Sequence, residues 1–161
     1  MKKLVALIFA VLFVFMLTAC GDEKTGDGTV VYSFSGSDAY FNVTNGTIVI
    51  EGDKETFSGG DLSITQEDAF DDVTFWRTEF YILKDGESRT VLVSEMLDQT
   101  GGSEVSISGD LGKISGCSVT TEGRQFNEED FENNLYFKFT VTKADGTNSS
   151  YTVQMDVEKV N

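Results

Sequence analysis

Carboxylates are the groups this sequence offers most freely for chemistry: 27 Asp and Glu stand against 12 Lys and Arg, and there is no histidine. Without imidazole the chain lacks the side chain most used near neutral pH as general base, triad member or zinc ligand, which excludes ordinary Ser-His and Cys-His hydrolysis. The carboxylates can instead hold a hard cation. Three acidic loops, Glu51-Gly52-Asp53, Glu67-Asp68 with Asp71-Asp72, and Glu128-Glu129-Asp130, offer the oxygen ligands that calcium takes. None has the spacing of an EF-hand loop, and acidic loops on a protein surface are ordinarily just solvated, so no metal ligand or cofactor is assigned.

Aromatic side chains are the second candidate. Trp76, Tyr81, Tyr136 and Tyr32 are of the types that stack against sugar rings on the face of a sheet. Trp76 alternates in step with Phe80 and Ile82, which assigns it to the core and leaves Phe75 and Tyr81 on the other side. Glycoside hydrolysis would need two carboxylates about 5 to 10 Å apart in a cleft, and spacing along separate strands does not supply that pair. No catalytic residue is assigned, and the chain is read as a non-enzyme.

The elements that must position these groups begin with an N-terminal address. Met1-Lys2-Lys3 is a short positive region, and Leu4 to Leu17 is an unbroken apolar run, too short for a comfortable membrane span but suited to a signal peptide. It ends in Leu17-Thr18-Ala19-Cys20, which resembles the lipobox of bacterial lipoproteins. The resemblance implies that the Cys20 thiol receives diacylglycerol, that residues 1–19 are removed, and that palmitate-type acyl chains then hold Cys20 to the cell membrane, outside the cytoplasm. Each buried methylene contributes about 0.8 kcal/mol, so two chains anchor stably where one does not. Residues 20–28 form a polar, glycine-rich tether. Because Lys2 and Lys3 leave with the signal, 10 basic residues face 27 acidic ones, a net charge of −17 that repels nucleic acid and anionic headgroups. Cys117 has no intramolecular partner once Cys20 is acylated, and reads as a small buried apolar residue.

Residues 29–161 read as one all-β domain, an antiparallel β-sandwich of Ig-like or Greek-key type, with a partly open β-barrel as the alternative. Val30, Tyr32 and Phe34 share one strand face. Phe41 and Val43 lead into Asn45-Gly46, followed by Ile48 and Ile50, which predicts a first hairpin. Asp85-Gly86 predicts a second, between Val73–Leu83 and the strand of Val91 and Val93. Asp145-Gly146 predicts a third, with Phe137, Phe139, Val153 and Met155 inward and Lys138, Gln154 and Asp156 outward. Acidic lead-ins at Glu67–Asp72 and Glu128–Asn133, and the echo of Ser58-Gly59-Gly60-Asp61-Leu62 in Ser108-Gly109-Asp110-Leu111, are compatible with duplication or with reuse of the same turn chemistry. With no proline, edge strands must be protected by charge, bulges or covering loops. Asn42-Val43-Thr44, Asn45-Gly46-Thr47 and Asn148-Ser149-Ser150 match a glycosylation acceptor, but beside a bacterial signal they read as strand and turn residues.

Tyr32-Ser33-Phe34-Ser35-Gly36, Thr44-Asn45-Gly46, Phe57-Ser58-Gly59-Gly60-Asp61-Leu62 and Asn134-Leu135-Tyr136-Phe137 together look like a group of small lipoproteins of unknown function in Gram-positive bacteria. That resemblance implies the fold and the address and brings no site residues with it. The function expected is that of a membrane-anchored extracytoplasmic lipoprotein, a non-catalytic binding or adhesion module for a protein or glycan ligand at the cell surface. The alternatives are a structural envelope-accessory lipoprotein and a weak calcium-dependent module.

Overall fold

Period-two alternation of apolar side chains builds strands with one dry face, and such faces are stable only when laid against each other. The computed structural model describes residues 29–52, 54–97, 107, 109–116 and 128–160. The signal, Cys20, the tether, Asp53 and Cys117 lie outside the described residues. The strands are β1 (Val30–Ser37), β2 (Phe41–Glu51), β3 (Lys54–Ser58), β4 (Asp61–Ile64), β5 (Val73–Lys84), β6 (Glu87–Leu97), β7 (Gly109–Asp110), β8 (Lys113–Gly116), β9 (Leu135–Lys143), β10 (Asn148–Gln154) and β11 (Asp156–Lys159). One sheet has the order β11-β1-β2-β3-β8, with β4 beside β2 and β7 beside β4; the other has the order β10-β9-β5-β6. All pairings are antiparallel, and the two sheets are not closed into a barrel: the fold is a β-sandwich.

Phenylalanines fill the space between the sheets. Phe34, Phe41 and Phe57 from the first sheet meet Phe80, Phe137 and Phe139 from the second, with ring centroids of 5.6 Å for Phe34–Phe80, 5.2 Å for Phe57–Phe80 and 5.6 Å for both Phe41–Phe137 and Phe41–Phe139. Tilted and edge-on geometries of this kind add about 0.5 to 1.5 kcal/mol per pair to the area buried. The third hairpin has the expected register as far as Gln154: Phe137 and Phe139 are buried, Val153 packs partly buried against them, and Lys138 and Gln154 are exposed; Met155 is buried and Asp156 exposed as expected, but both lie beyond β10, where the chain leaves the hairpin. The second hairpin turns at Asp85 and Gly86 with φ of 54° and 81°, the left-handed pair that a two-residue turn demands.

The first hairpin is a correction. Asn45 does adopt the left-handed conformation, with φ of 59°, but the chain does not reverse there. β2 runs through Asn45-Gly46 as one strand, paired with β1 along one side and with β3 and then β4 along the other. Two contacts keep it straight on. A β-carbon at Gly46 would lie less than 3.0 Å from three ring atoms of Phe34, and one at Gly60 would lie less than 3.0 Å from backbone atoms of Thr44, Asn45 and Gly46. The Asn-Gly pair is therefore a crease in a strand and not a turn between strands.

The crease crosses the whole sheet. β1 slips register between Phe34 and Gly36, β2 creases at Asn45-Gly46, β3 and β4 are separated by Gly59-Gly60, and β8 and β7 by Leu111-Gly112. Hydrogen bonds from Gly59 N to Gly112 O (2.9 Å) and from Leu111 N to Gly60 O (2.8 Å) carry the ladder over the gap. At the far side the chain interrupts at Met155 and changes sheets, from β10 beside β9 to β11 beside β1. Bends and sheet-switching strands of this kind make the corners of sandwiches.

A second regularity explains the echoes in sequence. A creased strand (β3–β4), a helical turn at Glu67–Phe70 and a hairpin (β5–β6) are matched by a creased strand (β7–β8), a short helix, α1 (Glu128–Phe131), and a hairpin (β9–β10). The creased strands pair with each other antiparallel, and so do β5 and β9. Each helical turn drops one phenylalanine into the core, Phe70 against Phe139 and Phe131 against Tyr32. The two units thus share one order of elements and pair like with like.

Candidate functional site

Among the described residues the acidic loops do not converge on one site. Glu67, Asp68, Asp71 and Asp72 precede the first residue of β5, whereas Asp130 pairs with Lys84 at its last. A strand of 12 residues separates the two groups by about 35 Å. Glu51 and Gly52 are at the tip between β2 and β3. Among the described residues no three His, Cys, Asp or Glu side chains stand close enough together to hold one metal ion. The sequence reading passed over a different carboxylate, Glu55, which is 2% exposed and lies on the inner face of β3 with Phe57. Its alternation with Phe57 was the available signal.

The four aromatic candidates divide between the two faces. Tyr32 and Trp76 point into the core at 1% and 8% exposure. Tyr81 and Tyr136 face out from the β10-β9-β5-β6 sheet, directly opposite each other in the β5–β9 register. Their rings stack at a centroid distance of 5.5 Å and an interplanar angle of 15°. Burial pushes the Tyr81 phenol above its ordinary 10.0, the neighbouring Tyr136 adds to the rise, and a hydrogen bond with Thr152 opposes it. Around the pair the same face exposes Leu83, Val93 and, next to Phe75, Leu97. Arg77 ties the charged middle together, 3.7 Å from Glu79 and 4.0 Å from Glu95, and Glu79 accepts a hydrogen bond from Thr90. These are exposed ion pairs, worth well under about 1 kcal/mol each, so they order the face more than they stabilise it.

The β9–β10 half of that face is a hydroxyl lattice that satisfies itself: Thr140 bonds Ser150 at 3.2 Å and Thr142 bonds Asn148 at 2.6 Å. Across the molecule Thr56 and Ser115 pair likewise at 3.0 Å. One concavity departs from this pattern. Where β11 leaves β1 and the chain changes sheets, Ser35, Ser37, Asn42, Thr44, Gln154 and Asp156 surround a groove of about 400 Å³.

No family model, curated protein or solved structure matches this chain. Among the described residues no helix is long and apolar enough to cross a membrane.

Proposed function

We propose that the protein is a membrane-anchored extracytoplasmic lipoprotein whose β-sandwich is a non-catalytic binding module for a protein or glycan at the cell surface. The observation that carries the binding role is the stacked Tyr81–Tyr136 pair on an outer sheet face, bordered by exposed Leu83 and Val93. Interfaces draw their binding energy from such rigid amphipathic rings, and a merely solvated envelope component has no use for them there. The anchor rests on Leu17-Thr18-Ala19-Cys20 and on the short polar tether that separates Cys20 from β1. The unevenness of the surface favours this reading over a structural accessory role.

Two variants in the native host test the two halves separately. Cys20→Ser is expected to leave an uncleaved or unanchored precursor that no longer partitions into detergent; normal maturation and partitioning would sink the anchor. The double variant Tyr81→Ser, Tyr136→Ser, still anchored, is expected to lose the envelope components that wild type captures by crosslinking. An unchanged crosslinking profile would remove the tyrosine pair from the binding role.

A further inference from the structure

We propose that the groove where the chain changes sheets is a binding subsite for a neutral saccharide, with Asn42 and Asp156 as its principal hydrogen-bonding residues. This deepens the binding-module reading and rests on it. The groove follows from the fold: β11 stays beside β1 only as far as the Ser35–Asp156 pair, and Met155 then turns inward. A β-carbon at Gly36 would lie less than 3.0 Å from the Met155 side chain, so the floor is packed tight from beneath. What remains above it is a recess lined by hydroxyls, amides and one carboxylate.

Those groups are unspent. Among the described residues the side chains of Ser35, Ser37, Asn42, Thr44 and Asp156 make no hydrogen bond or ion pair, whereas hydroxyls elsewhere on both outer faces bond to each other across strands. Gln154, which also lines the recess, spends an amide N–H on the Asn133 carbonyl. Hydroxyls and amides both donate and accept, as the vicinal hydroxyls of a sugar do, and a carboxylate accepts from two of them at once. The volume is within the range of small-molecule sites.

Other ligand classes fit less well. An anion would meet Asp156 in a chain of net charge −15. A hard cation needs several oxygen ligands with more charge than one carboxylate brings. At this end of β1 a peptide adding as a strand would find only Gly36 and Ser37 beyond the last β11 partner, too short an edge to hold it. A saccharide also finds what it needs next door, because Gln154 stands directly opposite Tyr136 in the β9–β10 register. A second sugar ring reaching past Gln154 would meet the Tyr136–Tyr81 stack with its C–H face.

Saturation-transfer NMR with the full-length lipidated protein, in a zwitterionic detergent free of sugar headgroups, tests this with cellobiose, maltose, lactose and N,N′-diacetylchitobiose. At least one disaccharide is expected to bind, and Asn42→Ala or Asp156→Asn is each expected to weaken it about tenfold, the effect of losing one well-made hydrogen bond. Asp156 is exposed and Asn42 half-buried without a side-chain partner, and Asp156→Asn keeps the shape of the side chain, so melting temperatures should stay near the wild-type value. No binding by any of the four, or binding indifferent to both substitutions, overturns the proposal. Retained envelope capture that still depends on Tyr81 and Tyr136 would in that case leave the binding-module reading standing without the saccharide.

Discussion

Gly46→Ala is the sharpest test of how the first sheet is built. In a strand, replacing glycine by alanine ordinarily stabilises by about 0.4 to 1 kcal/mol, because the unfolded chain loses freedom. Here the sign should reverse. The added methyl falls on the ring of Phe34, which is 3% exposed and cannot slide aside, being stacked on Phe57 at 5.1 Å and set edge-on to Phe80 at 5.6 Å. Overpacking of a core costs about 1 to 3 kcal/mol, and a site held on two sides belongs near the upper figure. With a urea slope of about 2 kcal/mol per molar, the midpoint should fall by about 1.5 M. Phe34→Leu vacates the ring position and by itself should cost about 1 to 2 kcal/mol, less than truncation to alanine. The double variant should then lose at least about 1 kcal/mol less than the sum of the two, since residues in contact do not act additively. Strict additivity in a urea-denaturation cycle would refute the ring contact and restore the turn reading of Asn45-Gly46, in which alanine at 46 is strained whatever stands at 34.

Phe139→Ala should cost about 3 to 5 kcal/mol in the same assay and Lys138→Ala less than about 0.5 kcal/mol, since the first is fully buried among Phe41, Phe70 and Phe137 and the second is exposed; equal losses would mean a slipped register. At the second hairpin, Gly86→Ala should lower thermal stability by about 1 kcal/mol, while Asp85→Gly should be nearly neutral, because both positions need a positive φ; a stabilising Gly86→Ala would contradict the turn geometry. The raised phenol of Tyr81 means that the native state holds that proton more tightly than the unfolded chain, so its contribution to stability is complete below pH 10 and is lost as pH climbs beyond it. Ultraviolet titration should show Tyr81 ionising after an ordinary tyrosine, with Tyr136→Phe moving it part of the way back; no movement would leave burial and the Glu79 carboxylate as the causes.

Much of the fold was legible because it is written in alternation. Parity along Val73–Lys84 assigned Trp76, Phe80 and Ile82 inward and Arg77 and Glu79 outward, and Asp-Gly marked two turns correctly. Asn45-Gly46 misled for a physical reason: the pair encodes a left-handed residue, and such a residue serves a turn or a crease equally well. What selects the crease is a phenylalanine on β1 and two glycines between β3 and β4, contacts that no local pattern contains. The outer face with the tyrosine pair was half legible. Tyr32 was offered as a stacking residue although it shares a strand face with Phe34, and the structure buries it; parity set Tyr81 opposite Trp76, but the stacking of Tyr81 on Tyr136 depends on the pairing of β5 with β9. The groove was not legible at all, because it exists only where one strand changes sheets at Met155.

The placement of β1 has a mechanical consequence. It is the first strand after the tether, and it lies between β2 on one side and β11 on the other, antiparallel to both. If the protein is held to a membrane at Cys20 and to a ligand through its sandwich, as proposed, a pull on the anchor would run along the axis of β1. Both rows of hydrogen bonds then resist in shear, many at once, where a terminal edge strand would peel away bond by bond. How long the domain survives such a load is set by the height of that barrier and not by equilibrium stability. Under that load β11, the last described strand, would be the second jaw of the clamp that keeps β1 from being drawn out.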